Sequence, residues 1–138
     1  MKILEYNPTR AFTATAEGNV AAGQAVGQGT TWGQVKPANP TGGAIQPVGL
    51  AAAAASDGET VLVLPECTVY DTALFLGFAA GARLYVGAGG AIANAALIAA
   101  NDIVPLVGFM VRTDCAQLNI NPVATKIVAA ANSNCAFA

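Results

Sequence analysis

Glycine, proline and asparagine interrupt this chain every eight to twelve residues, and that spacing limits what it can fold into. The stretch VAAGQAVGQGTTWGQV, residues 20–35, holds four glycines in sixteen positions. A helix shorter than about 12 residues is marginal in water, whereas strands of about five residues fit between such breaks. Phe12-Thr-Ala-Thr-Ala16 alternates as a strand half-buried on one face does, and Glu17-Gly18-Asn19 supplies a turn after it. Thr60–Leu64 is a short apolar, β-branched run suited to a buried strand. Leu118-Asn-Ile-Asn121 alternates again, and Pro122 limits it to an edge or an end. The alanines at 51–55 are good helix formers but too few to hold a helix. Val48–Ala55 therefore reads as a strand joined to Thr60–Leu64 through Ser56-Asp57-Gly58. Ala93–Asn101 is the one stretch left open as a short helix. The expected fold class is all-β: a compact barrel or sandwich of short antiparallel strands with at most one short helix.

Set against itself, the chain suggests two similar halves. Ala21-Ala22-Gly23 recurs as Ala79-Ala80-Gly81, and Ala25-Val26-Gly27 is answered by Leu84-Tyr85-Val86-Gly87. Gly33-Gln34-Val35 is answered by Gly90-Ala91-Ile92, and Pro47-Val48-Gly49-Leu50 by Pro105-Leu106-Val107-Gly108-Phe109. The landmarks keep their order at offsets of 57 to 59 residues. The implied organisation is an N-terminal arm at 1–10, a β domain at 11–113 with half-repeats at about 20–64 and 78–112, and a C-terminal extension at 114–138. Asn7-Pro8-Thr9 supports an extended arm, because the residue before proline avoids the helical region.

With 138 residues the chain is long enough for one independent core. Its surface is the difficulty. Only 14 residues are charged, 10% of the chain, against about 25% in ordinary soluble domains. Part of the surface is expected to be covered by copies of the chain or by a partner. The six Lys and Arg residues are scattered singly, so the clustered cations that nucleic acids require are missing. Glycines at 77, 81, 87, 89 and 90 break the charge-poor segment 72–100 before it reaches the length of a membrane span. The first residues are too short an apolar run for a signal peptide, and the expectation is a protein made in a cytoplasm and kept there until release.

The glycines make no phosphate loop. A dinucleotide fingerprint starting at Gly27-Gln-Gly29 needs glycine at 32, where Trp32 stands, and Pro37 and Pro40 forbid the helix that should follow. The second copy, Gly87-Ala-Gly89, has Ile92 in the corresponding place. These glycines read as turn residues. Asp71-Thr72-Ala73 lacks the glycine of an aspartic-protease motif and reads as a polar turn. There is no histidine, so no Cys–His nucleophile or zinc site of the usual type can be assembled. Cys67, Cys115 and Cys135 read as small buried hydrophobes, with a Cys115–Cys135 bridge as the alternative in an oxidising setting. Cys135-Ala-Phe-Ala138 fits a prenylation signal in form, but no polybasic stretch accompanies it. No catalytic, cofactor or metal residue is expected, and the chain does not read as an enzyme.

Five segments carry a resemblance: GQAVG (23–27), GQV (33–35), IQPVGLA (45–51), DGETVLV (57–63) and AGARLYV (80–86). In this order they resemble a family of small tailed-phage capsid decoration, or cement, proteins, once mislabelled recombinase-like. The resemblance spans about 12–112, and the tail from Asp114 departs from the family's shorter ending. It implies a β-barrel-like homotrimer on the outside of the phage head, with the major capsid protein as partner, no nucleic acid, no membrane and no cofactor. Within that reading Met1, Lys2, Ile3, Leu4 and Tyr6 are the expected shell contacts, and Trp32 is a second anchor. The competing class is a ligand- or glycan-binding β domain resembling a surface adhesin module.

Overall fold

The computed structural model describes residues 1–40, 45–94, 103–104, 106–120 and 126–127. Within them lie strands β1 (Lys2–Tyr6), β2 (Phe12–Ala16), β3 (Ala25–Gln28), β4 (Gln34–Pro37), β5 (Pro47–Ala51), β6 (Thr60–Leu64) and β7 (Glu66–Tyr70). They are followed by β8 (Arg83–Val86), a 3-10 turn at Ala88–Gly90, β9 (Ile92–Ala93), β10 (Ile103–Val104), β11 (Leu106–Arg112), β12 (Cys115–Asn119) and β13 (Lys126–Ile127). The fold is all-β. Strands β2-β4-β3-β5-β6 close into a barrel, and β1-β7-β12-β11-β8-β9 form a six-stranded antiparallel sheet; β10 pairs with β13. One pairing is parallel, Thr15 and Ala16 of β2 against Gln34 and Val35 of β4. An odd ring of strands cannot alternate in direction all the way round, so closing five strands requires such a pair.

The barrel is narrow, and small residues fill it: Ala16, Val20, Val26, Val35, Ala51, Ala55, Val61 and Val63. Strand alternation sends Ala25, Leu50 and Leu64 outward instead. There they join Phe75, Leu84, Met110, Leu118 and Ile120 in a second cluster that bonds the barrel to the sheet. Arg10 ties the two bodies at one end, donating to Glu66 Oε2 at 3.2 Å, Asn119 Oδ1 at 2.8 Å and the Ile120 carbonyl at 3.2 Å.

The sheet repeats the barrel. Its order β7-β12-β11-β8-β9 is the barrel order β2-β6-β5-β3-β4 with each strand replaced by its counterpart. The registers agree residue by residue. Ala25↔Leu50 and Val26↔Gly49 match Arg83↔Phe109 and Leu84↔Gly108, and both pairs then skip one residue at a bulge, Val48 and Val107. Leu50↔Leu64 and Ala51↔Val63 match Phe109↔Gln117 and Met110↔Ala116. Phe12↔Val63 matches Val69↔Ala116. Loop hydrogen bonds recur as well: Gly23 N–H donates to the Ala51 carbonyl at 2.9 Å, and Gly81 N–H to the Met110 carbonyl at 2.7 Å. The two copies therefore run over 12–64 and 66–119, wider than the 20–64 and 78–112 marked by glycines and prolines.

The second copy stays open where the first closes. The counterparts of Thr15 and Ala16 are Thr72 and Ala73, and they do not continue a strand. Asp71 Oδ1 accepts from Ala73 N–H at 2.8 Å and Leu74 N–H at 2.9 Å, which bends the chain away. Phe75 drops from this turn into the core, fully buried. On that side of β7 lies β1, antiparallel, with Lys2↔Tyr70 and Ile3↔Val69.

Several sequence expectations need correction. The arm at 1–10 is an edge strand followed by a turn in which Arg10 and Ala11 both donate to the Asn7 carbonyl. A domain boundary at 113 would cut the β11–β12 hairpin; β12 is a central strand that stops at Asn119, so of the two placements expected for 118–121 it is the end and not the edge. The strand expected over Val48–Ala55 stops at Ala51, although Ala55 bridges Val20. Gly27 is not a turn residue: it lies buried in β3, where a Cβ would collide with the Gln46 carbonyl oxygen. Cys135, Pro122 and most of Ala93–Asn101 lie outside the described residues.

Candidate interaction surface

The residues expected to meet a partner fall in two places. Met1 leads into β1 (Lys2–Tyr6), whose outer edge has no strand beside it among the described residues. A bulge at Leu4 breaks the pairing between Ile3 and Glu5. Ile3, half-buried, packs against the core. Met1, Lys2, Leu4 and Tyr6 are exposed. The strand is held at its start by the Met1 ammonium, 3.1 Å from Asp71 Oδ2.

Asp71 is thus both cap and counter-ion. The Leu74 backbone N–H, with the N-terminal ammonium and Ala73 N–H behind it, holds its carboxyl below the ordinary carboxylate range. A depressed carboxyl contributes above its unfolded pKa of about 3.9 and loses that contribution as pH falls through the lower folded value. Amide exchange in Lys2–Tyr6 should accordingly stay slow from pH 7 to pH 5 and accelerate below about pH 4. Asp71→Asn keeps the accepting oxygen but loses the charge, and should accelerate β1 exchange already at neutral pH.

Trp32 stands apart from β1. It occupies the loop between β3 and β4 and is 89% exposed. The loop is rigidly held: Thr30 N–H donates to both Glu17 carboxylate oxygens at 3.2 Å, Gln34 N–H to the Thr31 carbonyl at 3.1 Å, and Thr15 N–H to the Gly33 carbonyl at 3.0 Å. A hydrogen bond from the Thr30 side chain, with the Thr30 backbone N–H and Lys36 behind it, holds the Glu17 carboxyl below its usual range. Beside the indole a groove of about 370 Å³ opens over the barrel end, lined by Phe12, Ala14, Gln28, Gln34, Val35 and Val48 among others. None of residues 1–6 lines it.

A third surface was not anticipated. On the outer face of the sheet Phe109 is 48% exposed, flanked in register by Arg83 and Gln117, and Leu76 stands 81% exposed on the turn after β7. The run LVGFMVR does alternate about Met110, but which neighbours share Phe109's face is set by strand pairing, 8 residues away at Gln117 and 26 away at Arg83. Among the described residues no three His, Cys, Asp or Glu side chains stand close enough to hold a metal. Burial pushes the Cys67 thiol up to about 12, so it stays protonated. No helix of the described residues is long and apolar enough to cross a membrane. No protein-family model matches the chain, and no curated protein matches it.

Proposed function

We propose that this protein is a structural component of a phage virion, a capsid decoration protein that binds the outside of the head as an oligomer, homotrimeric in its relatives by resemblance, and stabilises it. One observation carries the reading. A chain with 14 charged residues exposes, among the described residues, nine large apolar side chains, Trp32, Leu76, Phe109, Leu4 and Tyr6 among them. Apolar side chains grouped on β1, beside Trp32 and around Phe109 support a protein-contact reading. The β1 edge is the shell-facing element: it offers unpaired backbone groups and the side chains of Leu4 and Tyr6, which suits strand addition to a neighbouring sheet. Several identical edges on one oligomer bind together by avidity, so no single contact need be strong. Binding only to the assembled head stabilises that state by mass action.

Deleting 1–9 is a poor test, because it removes Ile3 from the core. Leu4→Asp with Tyr6→Asp alters only exposed positions. The parent should pellet with emptied phage heads and the double variant should remain in the supernatant, with its circular dichroism unchanged. Equal pelleting of both would exclude β1 as the contact. The groove beside Trp32 favours the second reading, a glycan-binding domain, since an exposed indole can stack on a sugar face. A glycan array answered by the parent and lost in Trp32→Ala would support that class instead.

A further inference from the structure

We infer that the Trp32 loop of one protomer packs on the Ala82–Arg83–Phe109 face of the next, repeating between chains the turn-on-strand contact at the rim of the joint that each chain makes between its own two copies. The inference deepens the oligomeric reading above by naming its self-contact, and rests on the register of the duplication.

Within the chain, copies meet through non-equivalent surfaces. The first copy offers the row Ala25, Leu50 and Leu64, each at most 1% exposed. The second copy offers the inner face of its open sheet, with Leu84, Met110 and Leu118, and at the rim its β8–β9 turn, Ala88–Gly90: Gln24 Nε2 donates to the Gly89 carbonyl, and Gly90 lies so close to the Ala25 carbonyl oxygen that a Cβ could not fit. The inner face of the first copy is closed inside the barrel, but the row and the turn each have a counterpart in the other copy. The counterpart of Ala25–Leu50–Leu64 is Arg83–Phe109–Gln117, paired in the same register on the outer face of the sheet. The counterpart of the Ala88–Gly90 turn is Thr31–Gly33, which carries Trp32. A head-to-tail joint thus leaves one unused donor loop on the first copy and one unused acceptor face on the second. Both remain exposed, and they are complementary by descent.

The chemistry agrees. A terminal repeat that merely ends an array presents a polar outer face, but here Phe109 stands at the centre of it. Residues 89 and 90 sit against 24 and 25, so equivalence sets Trp32 and Gly33 against Ala82 and Arg83 of the neighbour. An indole there meets a guanidinium and a phenyl ring, the pairing that cation–π and aromatic contacts favour. Trp and Arg are also the residues that dominate contact energies. The Glu17–Thr30 bonds fix the loop beforehand, which lowers the ordering cost. A heterologous contact of this kind closes into a ring when its rotation allows.

The test uses the full chain with Cys135→Ser, the other two cysteines being buried. Trp32→Cys and Arg83→Cys are made separately, and each is treated with a short bismaleimide alone and after mixing. The inference predicts covalent dimers in the mixture and none with either variant alone. It also predicts that Trp32→Ala, an exposed position, keeps the parent circular dichroism but sediments as a smaller species. Cross-linking of Trp32→Cys alone would indicate a two-fold contact and overturn the proposal. So would an uncross-linked mixture, or a Trp32→Ala mass equal to the parent's. Loss of head binding with the cross-link intact would instead sink the shell reading and leave this contact standing.

Discussion

Replacing Phe75 by alanine should lower the unfolding free energy by about 3–5 kcal/mol, the largest effect expected of any single truncation in this chain. Phe75 is the bulkiest of the fully buried side chains among the described residues, and it leans on Phe78 with ring centroids 6.1 Å apart. It enters the core from the turn where the second copy departs from the first. The barrel copy needs only valine and alanine to fill a ring of five strands. The open copy is wider and takes Phe75, Leu84 and Met110, so removing the phenyl ring leaves a cavity that small neighbours cannot close. Against a total of about 5–15 kcal/mol this is a large fraction. Urea unfolding should show a much lower midpoint with an unchanged slope. A midpoint shift worth under about 1 kcal/mol would mean that the turn, and not the ring, holds the second copy together.

Gly49→Ala and Gly108→Ala should each cost about 3 kcal/mol, the upper end for overpacking, and they should cost alike. The two glycines hold the same place beside the shared bulge. A Cβ at Gly108 would strike the Gln117 carbonyl oxygen and come within 3.0 Å of Leu118 Cα; at Gly49 it would strike Val63 Cγ1 and lie 3.2 Å from the Leu64 carbonyl carbon. The obstacles include backbone of the paired strand, which cannot shift without losing ladder bonds. Gly58 is the contrast. Its φ of 83° is unfavourable for alanine, but nothing lies within 4 Å, so Gly58→Ala should cost only about 1 kcal/mol. Thermal denaturation of the three variants separates collision from conformational strain. If Gly108→Ala behaved like Gly58→Ala, the close approach of β11 to β12 would be wrong.

These glycines also explain how much of the fold could be read in advance. Phe12–Ala16 and Thr60–Leu64 were legible to the residue, because each is a short alternating or β-branched run between turn signals. The duplication was legible at its loops, where Gly23 and Gly81 both take φ of 80°. Its outer strands were not. Glu66–Tyr70 and Cys115–Asn119 carry Thr68 and Gln117 on the exposed face, and what marks those two as strand neighbours is a 2.6 Å hydrogen bond across 49 residues. The arm at 1–10 looked free for the same reason, since its partner β7 lies some sixty residues away. Trp32 could be named as a candidate anchor, but its exposure depends on a loop held by Glu17 from the bend after β2. Phe109 gave no signal, because strand alternation alone does not say which face the rest of the fold leaves open.

The central claim is that this charge-poor surface exists to be covered by other protein. Sedimentation equilibrium of the free chain, over a wide range of concentration, tests it most directly. A mass that is a small whole multiple of 13.7 kDa is the predicted result; a monomer of that mass at every concentration would contradict it.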